Sequence, residues 1–96
     1  MVSEYILRIV VPFRDYKRIK PIIKRLKEKN IEPKFVHRDP IFPDRGDMDV
    51  VEYVYVIRMS EEERREMYNL LSRTLSGTIG FFLLYKYDKK GKFSKI

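Results

Sequence analysis

Seven cationic side chains, Arg14, Lys17, Arg18, Lys20, Lys24, Arg25 and Lys27, fall within 14 consecutive positions of the chain. Side chains of these types at this density suit one chemistry, the neutralisation of phosphate, arginine through a planar fork and lysine as a point charge. Lys17, Lys20, Lys24 and Lys27 are separated by steps of three and four, which places them on one face if the segment is helical. The excess is regional. Residues 8–38 hold eleven Lys or Arg against three acids, residues 39–66 four against nine, and residues 67–96 six against one, within a total of +7. Arg38 and the C-terminal Lys86, Lys89, Lys90 and Lys92 are positioned to extend the same patch. The expected partner is therefore a nucleic acid, RNA or DNA, held through its phosphates with little sequence specificity. A blander account competes. Ala and Gln are absent and Asn occurs twice, while Lys, Glu, Arg and Ile abound, a composition in the hyperthermophile direction that fills helix surfaces with lysine as routine.

Other chemistries find less support. No cysteine occurs, which removes disulfides, thiolate metal sites and cysteine nucleophiles together. Asp44, Asp47 and Asp49 lack the alternating oxygen ligands and closing Glu of a calcium loop, so a solvated loop is expected instead. His37 has no carboxylate or second His at useful spacing. With no paired carboxylates, Ser-His set or P-loop, the expectation is a protein that is not an enzyme and takes no cofactor or metal.

The elements that must position these residues can be read from periodicity. Glu4–Val11 is β-branched and aromatic up to Pro12 and reads as a first strand. Tyr16–Asn30 carries Ile19, Ile22, Ile23 and Leu26 at helical spacing, with Asp15 or a following residue as cap, and with a regular part beginning near Lys17 or Lys20 to accommodate Pro21. Lys34–Arg38, between Pro33 and Pro40, suits an edge strand, and Asp39–Asp49 is a loop by its turn residues. Val50–Met59 is a third strand. Ser60 with Glu63 forms a capping box that opens a second helix, which Gly77 ends. Its buried stripe is Met67, Leu70, Leu71 and Leu75, and Glu61 with Arg65 makes an i, i+4 pair on the other side. Ile79–Tyr87 is a fourth strand, and residues 89–96 are a basic tail or a short extra strand beyond a single domain of residues 1–88.

This order is the split βαβ, or ferredoxin-like, arrangement of α+β folds: a four-stranded antiparallel sheet, spatial order 4-1-3-2, with two helices on one face. Alternation then sorts the strand residues. The uncharged odd set, Tyr5, Leu7, Ile9 and Val11, Val51, Tyr53, Tyr55, Ile57 and Met59, and Ile79, Phe81, Leu83 and Tyr85, is assigned to the helices. The opposite, open face would carry Ile6, Arg8, Val10, Val54, Val56, Phe82 and Leu84, an apolar patch large enough to need a cover. Two covers are open, the C-terminal segment Lys92–Ile96 folding back or a second copy of the chain, and the second, a sheet-face homodimer, is the expectation. An alternative function follows from the same face: a protein-interaction or regulatory module with no nucleic-acid role.

Two families with this topology bear on the reading. The segment Glu52-Tyr-Val-Tyr-Val-Ile-Arg58 resembles the strand 3 motif of RNA-recognition motifs, and Tyr5 stands where their strand 1 places a stacking ring. The likeness covers about a dozen residues. It lacks the basic-glycine lead and would turn Glu52, Arg8 and Arg58 toward the helices, so the tyrosines are assigned to the core. Arg14 resembles the first-loop arginine of acylphosphatases, but Val11-Pro-Phe-Arg-Asp has no glycine-rich phosphate cradle, and that activity is not expected. Met1-Val2-Ser3-Glu4 is unlike a signal peptide and no apolar run reaches membrane-span length, which makes a cytoplasmic chain with no membrane partner the expectation.

Overall fold

The computed structural model describes residues 2–39, 49–87 and 93–95. In chain order they form β1 (Val2–Pro12), a 3-10 turn (Phe13–Asp15), α1 (Tyr16–Glu28), β2 (Phe35–Asp39), β3 (Val50–Ser60), α2 (Glu61–Leu75), β4 (Phe81–Tyr87) and β5 (Phe93–Lys95). The sheet is antiparallel throughout, in the order β2-β3-β1-β4-β5. Its first four members have the ferredoxin-like order, and β5 adds an outer edge beyond β4.

Both helices lie on one face, where their stripes meet the sheet. Leu7, Ile9, Val11, Ile19, Tyr55 and Leu71 are fully buried, and Leu26, Ile57, Met59, Leu75 and Leu84 close the cluster around them. Each such side chain contributes roughly 1.5–3 kcal/mol when removed from water. Tyr5 and Tyr55 belong to this core, where no base could stack on them, and Tyr53 packs against it.

The helix ends follow local rules. The Ser60 hydroxyl accepts from the Glu63 N–H at 3.1 Å and the Glu63 carboxylate accepts from the Ser60 N–H at 3.0 Å, completing the capping box. α1 stops two residues short of its expected end. Asn30 takes φ +62°, Asn30 N–H donates to Lys27 O and Ile31 N–H donates to Leu26 O, both at 2.9 Å. That is a Schellman motif in which Asn substitutes for the usual glycine. At its other end α1 begins at Tyr16, so Pro21 lies in the helix interior, where it cannot donate to the Lys17 carbonyl.

Two expectations are corrected. The Glu61 carboxylate pairs with Arg64, one residue nearer than Arg65, and also accepts from the Tyr5 hydroxyl at 3.1 Å. More consequentially, β4 has the opposite parity. Leu84 pairs with Leu7 and Phe82 with Ile9, so Phe82 and Leu84 face the helices, and Phe82 meets the Tyr68 ring edge-on at 5.1 Å. Phe81, Leu83 and Tyr85 lie on the open face, and Ile79 precedes the strand, 72% exposed. The run Phe81–Tyr85 is apolar at every position, so alternation within it could not select a face. Register did. Gly80 approaches β1 so closely that a Cβ there would stand 2.7 Å from a Val11 methyl and 3.0 Å from the Val10 carbonyl oxygen.

Candidate functional site

Two surfaces on opposite sides of the sheet are candidates. The first is the outer side of α1. Ile19, Ile22 and Leu26 are buried, which turns Lys17, Lys20, Lys24 and Lys27 into solvent, with Arg18 and Arg25 beside them. At 1.5 Å per residue the four lysines span roughly 15 Å. Among the described residues no acid forms an ion pair with Lys17, Lys24 or Lys27. Lys20 stands over the Tyr16 ring, its Nζ 5.9 Å from the centroid, and Arg18 donates to the Ser76 carbonyl at 3.3 Å.

The other cations assigned to this patch divide three ways. Arg14 is exposed in the turn preceding α1, next to the lysine stripe in the chain. Lys86 is exposed on the helix side of β4, opposite Tyr5, whereas α1 stands over β3 through the Tyr16–Tyr53 contact, and β1 intervenes. The fold does not bring Lys86 to α1. Arg38 occupies a register position opposite Val51 on β2, and Lys89, Lys90 and Lys92 lie outside the described residues, as do Asp44 and Asp47. Asp49 is buried, its carbonyl accepting from the Phe13 N–H at 2.6 Å. No group of three or more His, Cys, Asp or Glu suited to a metal ion occurs among the described residues.

The second surface is the open sheet face. Ile6, Arg8 and Val10 of β1 lie between Val54 and Val56 of β3 and Phe81, Leu83 and Tyr85 of β4. Phe35 and His37 of β2 extend it, their rings stacked at 5.8 Å. Phe35 and Phe81 are 50% and 47% exposed, so aromatic surface meets water on both flanks. At the centre Arg8 forms an ion pair with Glu52, diagonally across β1 and β3. Of the residues assigned to this face from sequence, Ile6, Arg8, Val10, Val54 and Val56 are there. Phe82 and Leu84 are not, and Phe35, Phe81, Leu83 and Tyr85 were missed because their faces depend on cross-strand register.

Beneath α1 the rings of Phe13, Tyr16, Tyr53 and Tyr55 stack in succession, with centroid separations of 5.9, 6.2 and 6.3 Å. The Tyr53 and Tyr16 hydroxyls share a hydrogen bond of 3.1 Å. Burial raises both phenols of β3, Tyr55 to about 12, so these rings stay neutral at physiological pH. Through the Tyr53–Tyr16 contact they anchor α1 to β3. No helix of the described residues is long and apolar enough to cross a membrane.

No protein-family model matches the chain, and no curated protein matches its sequence. Solved structures do resemble it in fold. The uncharacterised protein TM1266 of Thermotoga maritima superposes with a TM-score of 0.62 at 14% identity, over 92% of this chain and all of that one (100%). The C-terminal domain of the MgtC protein of Mycobacterium tuberculosis gives 0.53 at 14% identity, over 95% of this chain and 93% of that domain. At such identity these likenesses speak to the fold alone.

Proposed function

We propose that the chain is a small non-enzymatic nucleic-acid-binding protein that pairs through its open sheet face and holds phosphates with the lysines of α1. The observation that carries the reading is the stripe Lys17, Lys20, Lys24 and Lys27, exposed and without acidic partners among the described residues. Like charges at three and four residue spacing cost a helix a few tenths of a kcal/mol per pair, and an external anion relieves that cost. The contacts are to phosphate, so they position the partner without reading bases.

Pairing through the open face removes Phe35 and Phe81 from water. It also places the Arg8–Glu52 pair of each copy near that of the other, where opposite charges meet under a two-fold axis. The same exposed rings favour a second reading, in which the open face takes a different protein and α1 is only solvated.

Fluorescence anisotropy with labelled duplex DNA and single-stranded RNA, titrated across salt, tests the assignment. Four phosphate contacts per protomer give a log–log salt slope of about −3.6 on duplex and about −2.8 on single strands. The triple reversal Lys20→Glu, Lys24→Glu, Lys27→Glu should abolish binding, and Arg65→Glu on α2 should not. Light scattering on Val54→Asp with Leu83→Asp should report half the parental mass. Undiminished binding by the triple variant sinks the phosphate reading, and an unchanged mass sinks the dimer.

A further inference from the structure

A cavity of about 490 Å³ opens between the C-terminal half of α1, α2 and the end of β3. This is within the range of small-molecule sites, roughly 300–1,000 Å³. Its origin is local. The Schellman turn after α1 folds Ile31 back onto Leu26, while α2 leaves β3 with no intervening loop, so the helices flank a recess above Met59. The buried Leu26, Ile57 and Met59 form its floor, and the half-buried Ile31, Met67 and Leu70 its apolar walls. The two methionines are unbranched and polarizable, and suit a flexible apolar guest better than a flat one.

The rim is charged unequally. Arg25 and Lys29 of the α1 end and Arg73 of α2 face Glu63 and Glu66. Glu63 caps α2, accepting from the Ser60 N–H, and its carboxylate keeps its charge within reach of the field of Lys29. Among the described residues no acid forms an ion pair with Arg25 or Arg73. A guest therefore meets apolar walls below and a cationic excess above, tempered by two carboxylates that oppose a doubly charged head.

We propose that this recess binds a medium-chain carboxylate of the fatty-acid type, its alkyl chain against Met67 and Leu70 above the Met59 floor and its single charge against Lys29 and Arg73. Arginine holds such a head bidentately, and the chain removes its own apolar surface from water. This site does not use Lys20, Lys24 or Lys27; Arg25 borders both surfaces but is left unchanged in either test, so the two proposals stand or fall apart.

The test uses the full chain with 13C-methyl methionine and sodium dodecanoate below its micelle-forming concentration, followed by NMR and calorimetry. Dodecanoate should bind saturably and shift the Met59 and Met67 methyls. Lys29→Glu with Arg73→Glu should weaken binding at least tenfold, Met67→Trp should block it by filling the recess, and the triple α1 reversal should leave it unchanged. Dodecyltrimethylammonium should bind at least tenfold more weakly than dodecanoate. Equal affinity for the cation, no saturable binding, or saturation that leaves Met59 and Met67 unmoved would overturn the proposal. Should the charge-reversed pair not fold, Lys29→Gln with Arg73→Gln replaces it, and an unchanged affinity in that variant overturns the proposal equally.

Discussion

α1 and α2 pack on the same sheet face through similar apolar stripes, yet their polar residues are unlike. α1 carries six cations against one acid, whereas α2 carries three cations against four acids. On α2 the fold itself uses much of this charge. Glu63 closes the capping box, and Glu61 takes Arg64 and the Tyr5 hydroxyl, three acids in the first turn favouring the positive end of the dipole. α1 has fewer such devices: Arg25 and Lys27 in its last turn suit the dipole and Arg18 holds the Ser76 carbonyl, but Asp15 makes no capping hydrogen bond, and Lys20 follows Lys17 and precedes Lys24 at repulsive spacings. A balanced helix is explained by its own stability. The unbalanced one is not, and that difference motivates placing a phosphate partner on α1.

The comparison can be broken first at the stripes. Ile19→Ala on α1 and Leu71→Ala on α2 each empty a fully buried site and should cost about 2–5 kcal/mol in urea unfolding. A much smaller loss at Ile19 would mean that α1 is loosely docked and its charges have no rigid platform. The caps come next. Ser60→Ala should cost about 1 kcal/mol, with its accepted bond lost, while Asp15→Ala should stay within about 0.5 kcal/mol. Equal losses would erase the asymmetry.

The smallest effect is one of pH. Arg64 holds the Glu61 carboxyl below its ordinary value, and the hydrogen bond from the Ser60 backbone does the same for Glu63. A folded-state value below the unfolded one contributes stability that is complete above the ordinary carboxylate range and is lost as pH falls through the depressed value. Unfolding midpoints in urea should therefore decline on acidification below about pH 4, less in Glu63→Gln than in the parent. An identical decline in both would show that the cap's charge is immaterial.

Much of the fold was readable because its signals are short-range. Ser60 and Glu63 lie three residues apart, and Leu71 with Leu75 one turn apart, so the helix that joins them needs nothing beyond the chain's own periodicity. The lysine stripe was readable for the same reason, since burying Ile19, Ile22 and Leu26 turns Lys17, Lys20 and Lys24 outward wherever the helix docks. The tyrosines of β3 were assigned correctly to the core because Glu52 and Arg58 exclude the opposite parity. β4 offers no such arbiter between Phe81 and Tyr85, and the charge that follows, Lys86, reaches solvent from the helix side at the end of the strand.

Local periodicity and capping chemistry thus determined the helices, the strands and the cationic face, because each depends on residues within about one or two turns of one another. The makeup of the open sheet face and the recess between the helices came only with assembly. Which residues of β4 meet Leu7 and Ile9 depends on how the chain closes at Gly80 against Val10 and Val11, some 70 residues away in sequence. A shift of one residue there exchanges Phe81 and Leu83 for Phe82 and Leu84, and no pattern confined to a single apolar strand records that choice.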